Sequence, residues 1–409
     1  MSSLSPVAKP FYNPPTLLAR QALSALYFAT LTRWRYLPHW LFKAKKTLPT
    51  AAGATGMGCI GFPTHPVWEV TTGCNLRCCH CHVSAGKPSE NELSTEEARR
   101  LIADIASIPE FRMLVFTGGE PMVRRDIFEL AECASAHGLT ICLATNATLI
   151  TPAVAQRLKR AGVVDIAVGL DAANASLHDH IRGMPGCFDL AMRGIEASRE
   201  AGLAIQINFT AMKSNLAEVP AILDLAHRLD ADIVLLYNLV PAGRSEGVDL
   251  ELSPTEYAGL LELVAKRQRS CRSIIEPTCS PQYWPHLLGR NRHGPTWLAE
   301  KLFHGCVAGI GLCYIKPDGE VWPCPFIPVS GGNVRQIPLS QIWRQAEVFQ
   351  ELRDRKHTSK GKCRDCRYNH VCGGCRGRAY AHFGDYMADD PFCLLDQTTS
   401  AQPLTTKDL

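Results

Sequence analysis

The sequence lacks an apolar run long enough to cross a bilayer. Its first apolar stretch, Leu17 to Leu31, is broken by Arg20 and follows a proline-rich segment. That excludes a spanning helix and does not read as a secretory signal. A dominant charge is also lacking. A net charge of +4 over 409 residues gives no support to nucleic acid as a partner. There is no internal repeat. Acids are missing from residues 1–65, where Lys9, Arg20, Arg33, Arg35, Lys43, Lys45 and Lys46 stand. Leu17, Leu18, Ala22, Ala25, Leu26 and Ala29 recur there at helical spacing. A basic helix touching a membrane surface is one reading. A helix packed on the main body, with a solvated basic face, is preferred.

Cysteine, by contrast, is abundant: eighteen residues, in a chain with 46% apolar content. Small secreted domains use such numbers for disulfides because their cores are small. A chain of this length buries a core without them, so two domains or one large barrel with an addition is expected. The expected setting is the cytoplasm, with reduced cysteines committed to metal or redox chemistry.

Pattern divides the chain. After the basic extension, 1–62, residues 63–240 alternate short apolar runs with helical segments. The runs are "PVWEVT", "RMLVFT", "TICLAT", "DIAVGL", "AIQINFT" and "DIVLLYNLV". Between the first two, "STEEARRLIADIA" opens on a capping box, Ser94 with Glu97. Strand–helix alternation predicts parallel βαβ units, here an α/β fold of six units. That is a partial (β/α)6 barrel, with its site at the C-terminal strand ends. Residues 241–305 are a less periodic bridge with a helical stretch around 253–268, 306–395 a second cysteine-rich block, and 396–409 a polar tail.

The unusual polar residues collect on that rim. Cys74, Cys78 and Cys81 follow the first strand, within "TTGCNLRCCHCHVSAG". "TGGEP" (Thr117 to Pro121) follows the second strand, "TNAT" the third, and Asp171 ends the fourth. A closed zinc site wants four ligands. Three soft thiolates suit a 4Fe-4S cluster with one iron left open. Cys79 reads as a bystander, and His80 and His82 as possible but unneeded ligands. The second block carries Cys306, Cys313, Cys324, Cys363, Cys366, Cys372, Cys375 and Cys393. Eight thiolates fill two four-ligand sites of either iron or zinc, so the count alone does not decide. Cys59, Cys133, Cys142, Cys187, Cys271 and Cys279 read as ordinary small apolar residues.

The first cysteine motif, its place after a first strand and the "TGGEP" turn resemble the radical S-adenosylmethionine (SAM) superfamily. The order of the second block resembles the SPASM domain that follows many such cores. The resemblance implies three 4Fe-4S clusters, one binding SAM and two auxiliary. Cys74, Cys78 and Cys81 would hold the first. Cys306, Cys324 and Cys375 would hold the second, which has an open site or takes a fourth ligand, Cys313 being the candidate. Cys363, Cys366, Cys372 and Cys393 would hold the third. "CGGC" is one residue shorter than the family's usual spacing at that point. By the same resemblance Gly118 and Gly119 let the backbone come close to SAM, Glu120 or the backbone holds its amino group, and Asp171 and Arg182 are candidates for its ribose and carboxylate. Asn146 and Asn208 are further candidates at strand ends. No side chain is singled out as catalytic in its own right. The chemistry implied is one-electron cleavage of SAM to a 5′-deoxyadenosyl radical, which takes hydrogen from an unactivated carbon.

"FRMLVFTGGEP", "YNLVPAGR", "YIKPDGEVWPCPF" and "CGGCRGRA" resemble the branch acting on modified tetrapyrroles, haem synthases among them. The resemblance spans about 63–395. It implies a flat, anionic tetrapyrrole substrate such as iron-coproporphyrin III, and a ferredoxin- or flavodoxin-like electron donor. Arg244, Arg376 and Arg378 are candidate carboxylate partners, Tyr283 and Trp284 candidate stacking partners, and His304 a candidate iron ligand. The alternatives are a SPASM maturase acting on a peptide or protein-bound cofactor, and a zinc-stabilised scaffold.

Overall fold

The computed structural model describes residues 65–395, apart from 112, 268–270, 272 and 291–304. The basic extension, Cys59, His304 and the tail from 396 lie outside these residues.

All six apolar runs form strands: β1 (His65–Glu69), β2 (Met113–Thr117), β3 (Thr140–Thr145), β4 (Val163–Gly169), β5 (Ala204–Ala211) and β6 (Ile233–Asn238). Each pairs in parallel with the next. Parallel neighbours need a crossover, and helices supply it. α1 (Thr95–Ser107) is one example. Its capping box forms as expected, and Ala98, Leu101, Ile102 and Ile105 bury one face. Each of those larger side chains contributes about 1.5–3 kcal/mol on full burial.

Period-two alternation splits each strand between two environments. Leu114, Phe116, Ile166, Val168, Ile205 and Ile207 face the helices in the main core. Met113, Val115, Asp165, Ala167, Gln206 and Asn208 face a cavity of about 350 Å³. One cavity lined from every parallel strand means that the sheet curls around it.

The sheet exceeds the expected six strands. β7 (Ile274–Thr278) joins β6 in parallel, and β8 (Leu312–Ile315) joins β1 in parallel. β9 (Glu320–Trp322) and β10 (Gly332–Asn333) add an antiparallel extension. The order is β10-β9-β8-β1-β2-β3-β4-β5-β6-β7. Neither β7 nor β8 was readable as a strand. "IIEPT" and "LCYI" are too short for periodicity, and Pro277 argues against a strand interior. β7 is an edge strand, where a missing N–H is tolerated. Through β8 the second cysteine block shares the sheet of the core. No helix among the described residues is long and apolar enough to cross a membrane.

Candidate active site

The loop after β1 is closed on itself. The Cys74 N–H donates to Gly86 O at 2.9 Å, and the Gly86 N–H to Thr72 O at 2.9 Å. Within it each of the three thiols receives a donor. Leu76 N–H reaches Cys74 Sγ at 3.3 Å and Ala85 N–H reaches Cys81 Sγ at 3.4 Å. Arg182 Nη1 reaches Cys78 Sγ at 3.9 Å. All three thiols line the cavity, whereas Cys79 is exposed. Burial pushes Cys74 up to about 11 and raises Cys78 as well. Ionising them in place therefore needs a bound cation, and sulfurs that accept hydrogen bonds suit iron–sulfur ligation. Among the described residues, no three Cys, His, Asp or Glu side chains converge on a single ion.

The "TGGEP" turn packs on this loop. A Cβ on Gly119 would lie 2.2 Å from Gly73 O, and one on Gly118 2.5 Å from Thr71 O. The glycines are thus required by contact with the loop backbone, and both also line the cavity. Glu120 does something other than expected. Its Oε1 accepts from Thr145 Oγ1 at 2.7 Å and Met122 N–H at 3.0 Å, and its Oε2 from Asn146 N–H at 2.8 Å. It is fully buried and ties β2 to β3. Asn146 faces the cavity, and its Nδ2 donates to Asn75 Oδ1 in the cluster loop at 2.9 Å.

Asp171 and Arg182 meet as a buried ion pair at 2.7 Å, and His80 Nε2 lies 3.3 Å from the same carboxylate. Burial pushes Asp171 up, but Arg182 and His80 outweigh it and hold the carboxyl below its ordinary value. Arg182 lines the cavity, while the Asp171 carboxylate faces inward and holds Arg182 in place.

Several expected binders are internal supports. Arg376 is fully buried and donates to Tyr386 O at 3.0 Å and Ala388 O at 2.7 Å. Arg378, also fully buried, pairs with Asp390 at 3.3 Å and donates to Cys279 O at 2.9 Å. Tyr283 and Trp284 pack edge to face at 5.6 Å inside the core. Arg244 fastens the cluster loop, with Nε to Cys78 O and Nη1 to Ala85 O, both 2.8 Å. A motif signals that such a residue matters, but not that its partners are backbone carbonyls. The aromatic wall of the cavity is instead His82, Tyr314 and Phe326, with ring centroids 6.3 and 5.4 Å from His82. Burial holds His82 neutral, its pKa down at about 4.

The second block separates into two groups of thiols. Cys363 and Cys372 lie within electrostatic reach of Cys393, and Cys393 of Cys366. Cys306 and Cys324 are within reach of Cys375. The split is made at "CGGC", where Gly373 (φ 63) and Gly374 (φ 64) are both left-handed. Two such residues turn the chain sharply between Cys372 and Cys375. Cys313 stands apart from both groups, in the hydrophobic core. At the cavity floor, sequence reading missed Asp165. Its Oδ2 accepts from Cys142 Sγ at 2.9 Å, and burial raises its pKa to about 7.

The radical SAM superfamily model matches residues 68–226, and the SPASM iron–sulfur cluster-binding model matches 306–367. The AdoMet-dependent heme synthase of Methanosarcina barkeri is 40% identical over 80% of this chain and 95% of its own length. The chain belongs to the radical SAM superfamily. It is an iron–sulfur enzyme of the SPASM-bearing kind, with SAM and 4Fe-4S clusters as cofactors. Other relatives include the Fe-coproporphyrin III synthase of the same organism, 36% identical over 80% of this chain and 87% of its own. The mycofactocin maturase MftC of Mycolicibacterium smegmatis is 33% identical over 80% and 81%. Among solved structures, Streptococcus suis SuiB bound to its precursor peptide SuiA superposes with a TM-score of 0.67. It covers 88% of this chain and 80% of its own at 18% identity, which shows the shared fold. These matches support the radical SAM and SPASM resemblance.

Proposed function

We propose that this radical SAM enzyme converts two propionates of iron-coproporphyrin III to vinyls, giving haem. The observation that carries the proposal is the 40% identity across 95% of a haem synthase. The cavity supports it. Its volume falls in the range of ligand pockets, about 300–1,000 Å³. Its aromatic wall of His82, Tyr314 and Phe326 suits a flat macrocycle.

Bound there, the clusters and SAM supply a 5′-deoxyadenosyl radical and an acceptor for one electron. The protein's own residues orient and exclude. Cys74, Cys78 and Cys81 hold the SAM-binding cluster. The Gly118–Gly119 backbone and the Arg182 guanidinium, which line the cavity, would meet the amino and carboxylate ends of SAM. The strand side chains around the cavity keep water from the reacting carbon. For each propionate, the β-carbon gives up a hydrogen atom, CO2 leaves, and one electron is removed. A small redox protein of the ferredoxin or flavodoxin kind supplies reducing electrons. An abundance of cysteines committed to clusters rather than disulfides supports a cytoplasmic setting.

The test is an anaerobic assay of reconstituted protein with SAM, a strong reductant and iron-coproporphyrin III, read by mass spectrometry. Loss of two CO2 with matching 5′-deoxyadenosine supports the proposal. 5′-Deoxyadenosine beside an unchanged porphyrin rejects this substrate. The identity with a mycofactocin maturase supports the second reading, a maturase acting on a peptide or a protein-bound cofactor, in which that substrate and not the porphyrin changes mass.

A further inference from the structure

β8 decides which cysteine completes the group of Cys306, Cys324 and Cys375. Leu312 and Tyr314 line the cavity. Alternation along a strand therefore sends Cys313 to the opposite face. There it is fully buried in the hydrophobic core. A thiol aimed at that face cannot reach a group assembled on the cavity wall.

Another thiol is already on that wall. Cys279 follows the last residue of β7 and lines the cavity with Cys306, Cys324 and Cys375. Its thiol lies within electrostatic reach of those of Cys375 and Cys324. Its backbone is left-handed, with φ 57. A residue with a Cβ rarely adopts that conformation, and such outliers persist only where surroundings over-determine them. Here they do. Arg378 Nη2 holds the Cys279 carbonyl at 2.9 Å. Arg378 is itself paired with Asp390, whose Oδ2 accepts the Cys375 N–H at 2.6 Å. One buried ion pair thus fixes both Cys279 and Cys375.

We propose that Cys279 is the fourth thiolate of the first auxiliary cluster, with Cys306, Cys324 and Cys375, and that Cys313 is a core residue. Four soft thiolates on one cavity wall match the ligand set of a 4Fe-4S cluster. With all four corners held by protein, no iron is open to substrate. That cluster passes electrons and does not bind the tetrapyrrole or any peptide. The assignment stands whichever substrate is turned over.

The test uses full-length chain in which Cys74, Cys78 and Cys81 are replaced by alanine, so that only auxiliary clusters remain. After anaerobic reconstitution, iron content and the electron paramagnetic resonance spectrum of the reduced protein are read. Cys279→Ser is expected to shift or remove one auxiliary signal and to lower iron by up to four per chain. Cys313→Ala is expected to leave both unchanged. An unaltered Cys279→Ser spectrum, or an equal change in Cys313→Ala, overturns the proposal. Should Cys279→Ser fail to fold, cyanide added to the parent protein decides. An unshifted auxiliary signal is expected, and a cyanide-shifted one shows an open iron and overturns the assignment.

Discussion

Arg244 donates through Nε to the carbonyl of Cys78, 2.8 Å away in space and 166 residues away in sequence. Its own N–H donates to Cys81 O at 3.0 Å, and its Nη1 to Ala85 O at 2.8 Å. Gly243 beside it has φ 55, and a Cβ there would lie 2.5 Å from His82 O. One turn after β6 therefore braces the loop that carries the first three cysteines.

Arg244→Lys keeps the charge and loses the fork. Hydrogen bonds from a charged donor are worth about 1.5–3 kcal/mol each. 5′-Deoxyadenosine formation is expected to fall at least tenfold. Iron in the first cluster is expected to drop while the auxiliary signals persist. Full first-cluster iron in the variant would contradict the bracing role.

The Asp171–Arg182 pair makes a second prediction. Removing one partner of a buried pair costs about 3–5 kcal/mol, because the other charge is left uncompensated. Asp171→Asn is expected to lower the thermal midpoint and to free Arg182 from its place beside Cys78. SAM affinity, measured by equilibrium dialysis, is expected to weaken by at least tenfold. Unchanged affinity would mean that Arg182 keeps its position without Asp171.

Asp165 gives a pH signature. Burial raises its folded pKa from 3.8 to about 7, so the folded state holds a proton that the unfolded chain releases. That stabilisation is complete below pH 3.8 and is lost as pH rises through 7. The wild-type thermal midpoint is expected to fall between pH 4 and 7 by more than that of Asp165→Asn. Parallel pH profiles would show that the carboxyl does not titrate in this window.

"CGGC" is tested by Gly374→Ala. A Cβ there would lie 2.4 Å from Arg376 Nη2 and 2.7 Å from Asp390 Cβ, at φ +64. The left-handed backbone alone costs roughly 1–2 kcal/mol with a Cβ present. Cys375 is expected to be displaced and up to four irons lost per chain. Iron retained in full would show that the turn tolerates a side chain.

Legibility in the sequence followed local density. Six strands and α1 were readable because their patterns are complete within a few residues. Cys74, Cys78 and Cys81 were readable because three thiols stand within eight residues. β7 and β8 were not, because strands of five and four residues take their shape from neighbours far along the chain. Cys279 reads as an ordinary small apolar residue for the same reason. Nothing local in "EPTCSP" reports that Cys375 lines the same cavity. Arg376 and Arg378 looked like anion binders because arginine in a motif does not reveal whether it faces ligand or carbonyl.

The central claim is hydrogen abstraction from a tetrapyrrole propionate. Iron-coproporphyrin III deuterated at the propionate β-carbons, turned over anaerobically with SAM and reductant, tests it most directly. The account predicts deuterium in the 5′-deoxyadenosine and a porphyrin lighter by two CO2. Unlabelled 5′-deoxyadenosine beside intact porphyrin would contradict it.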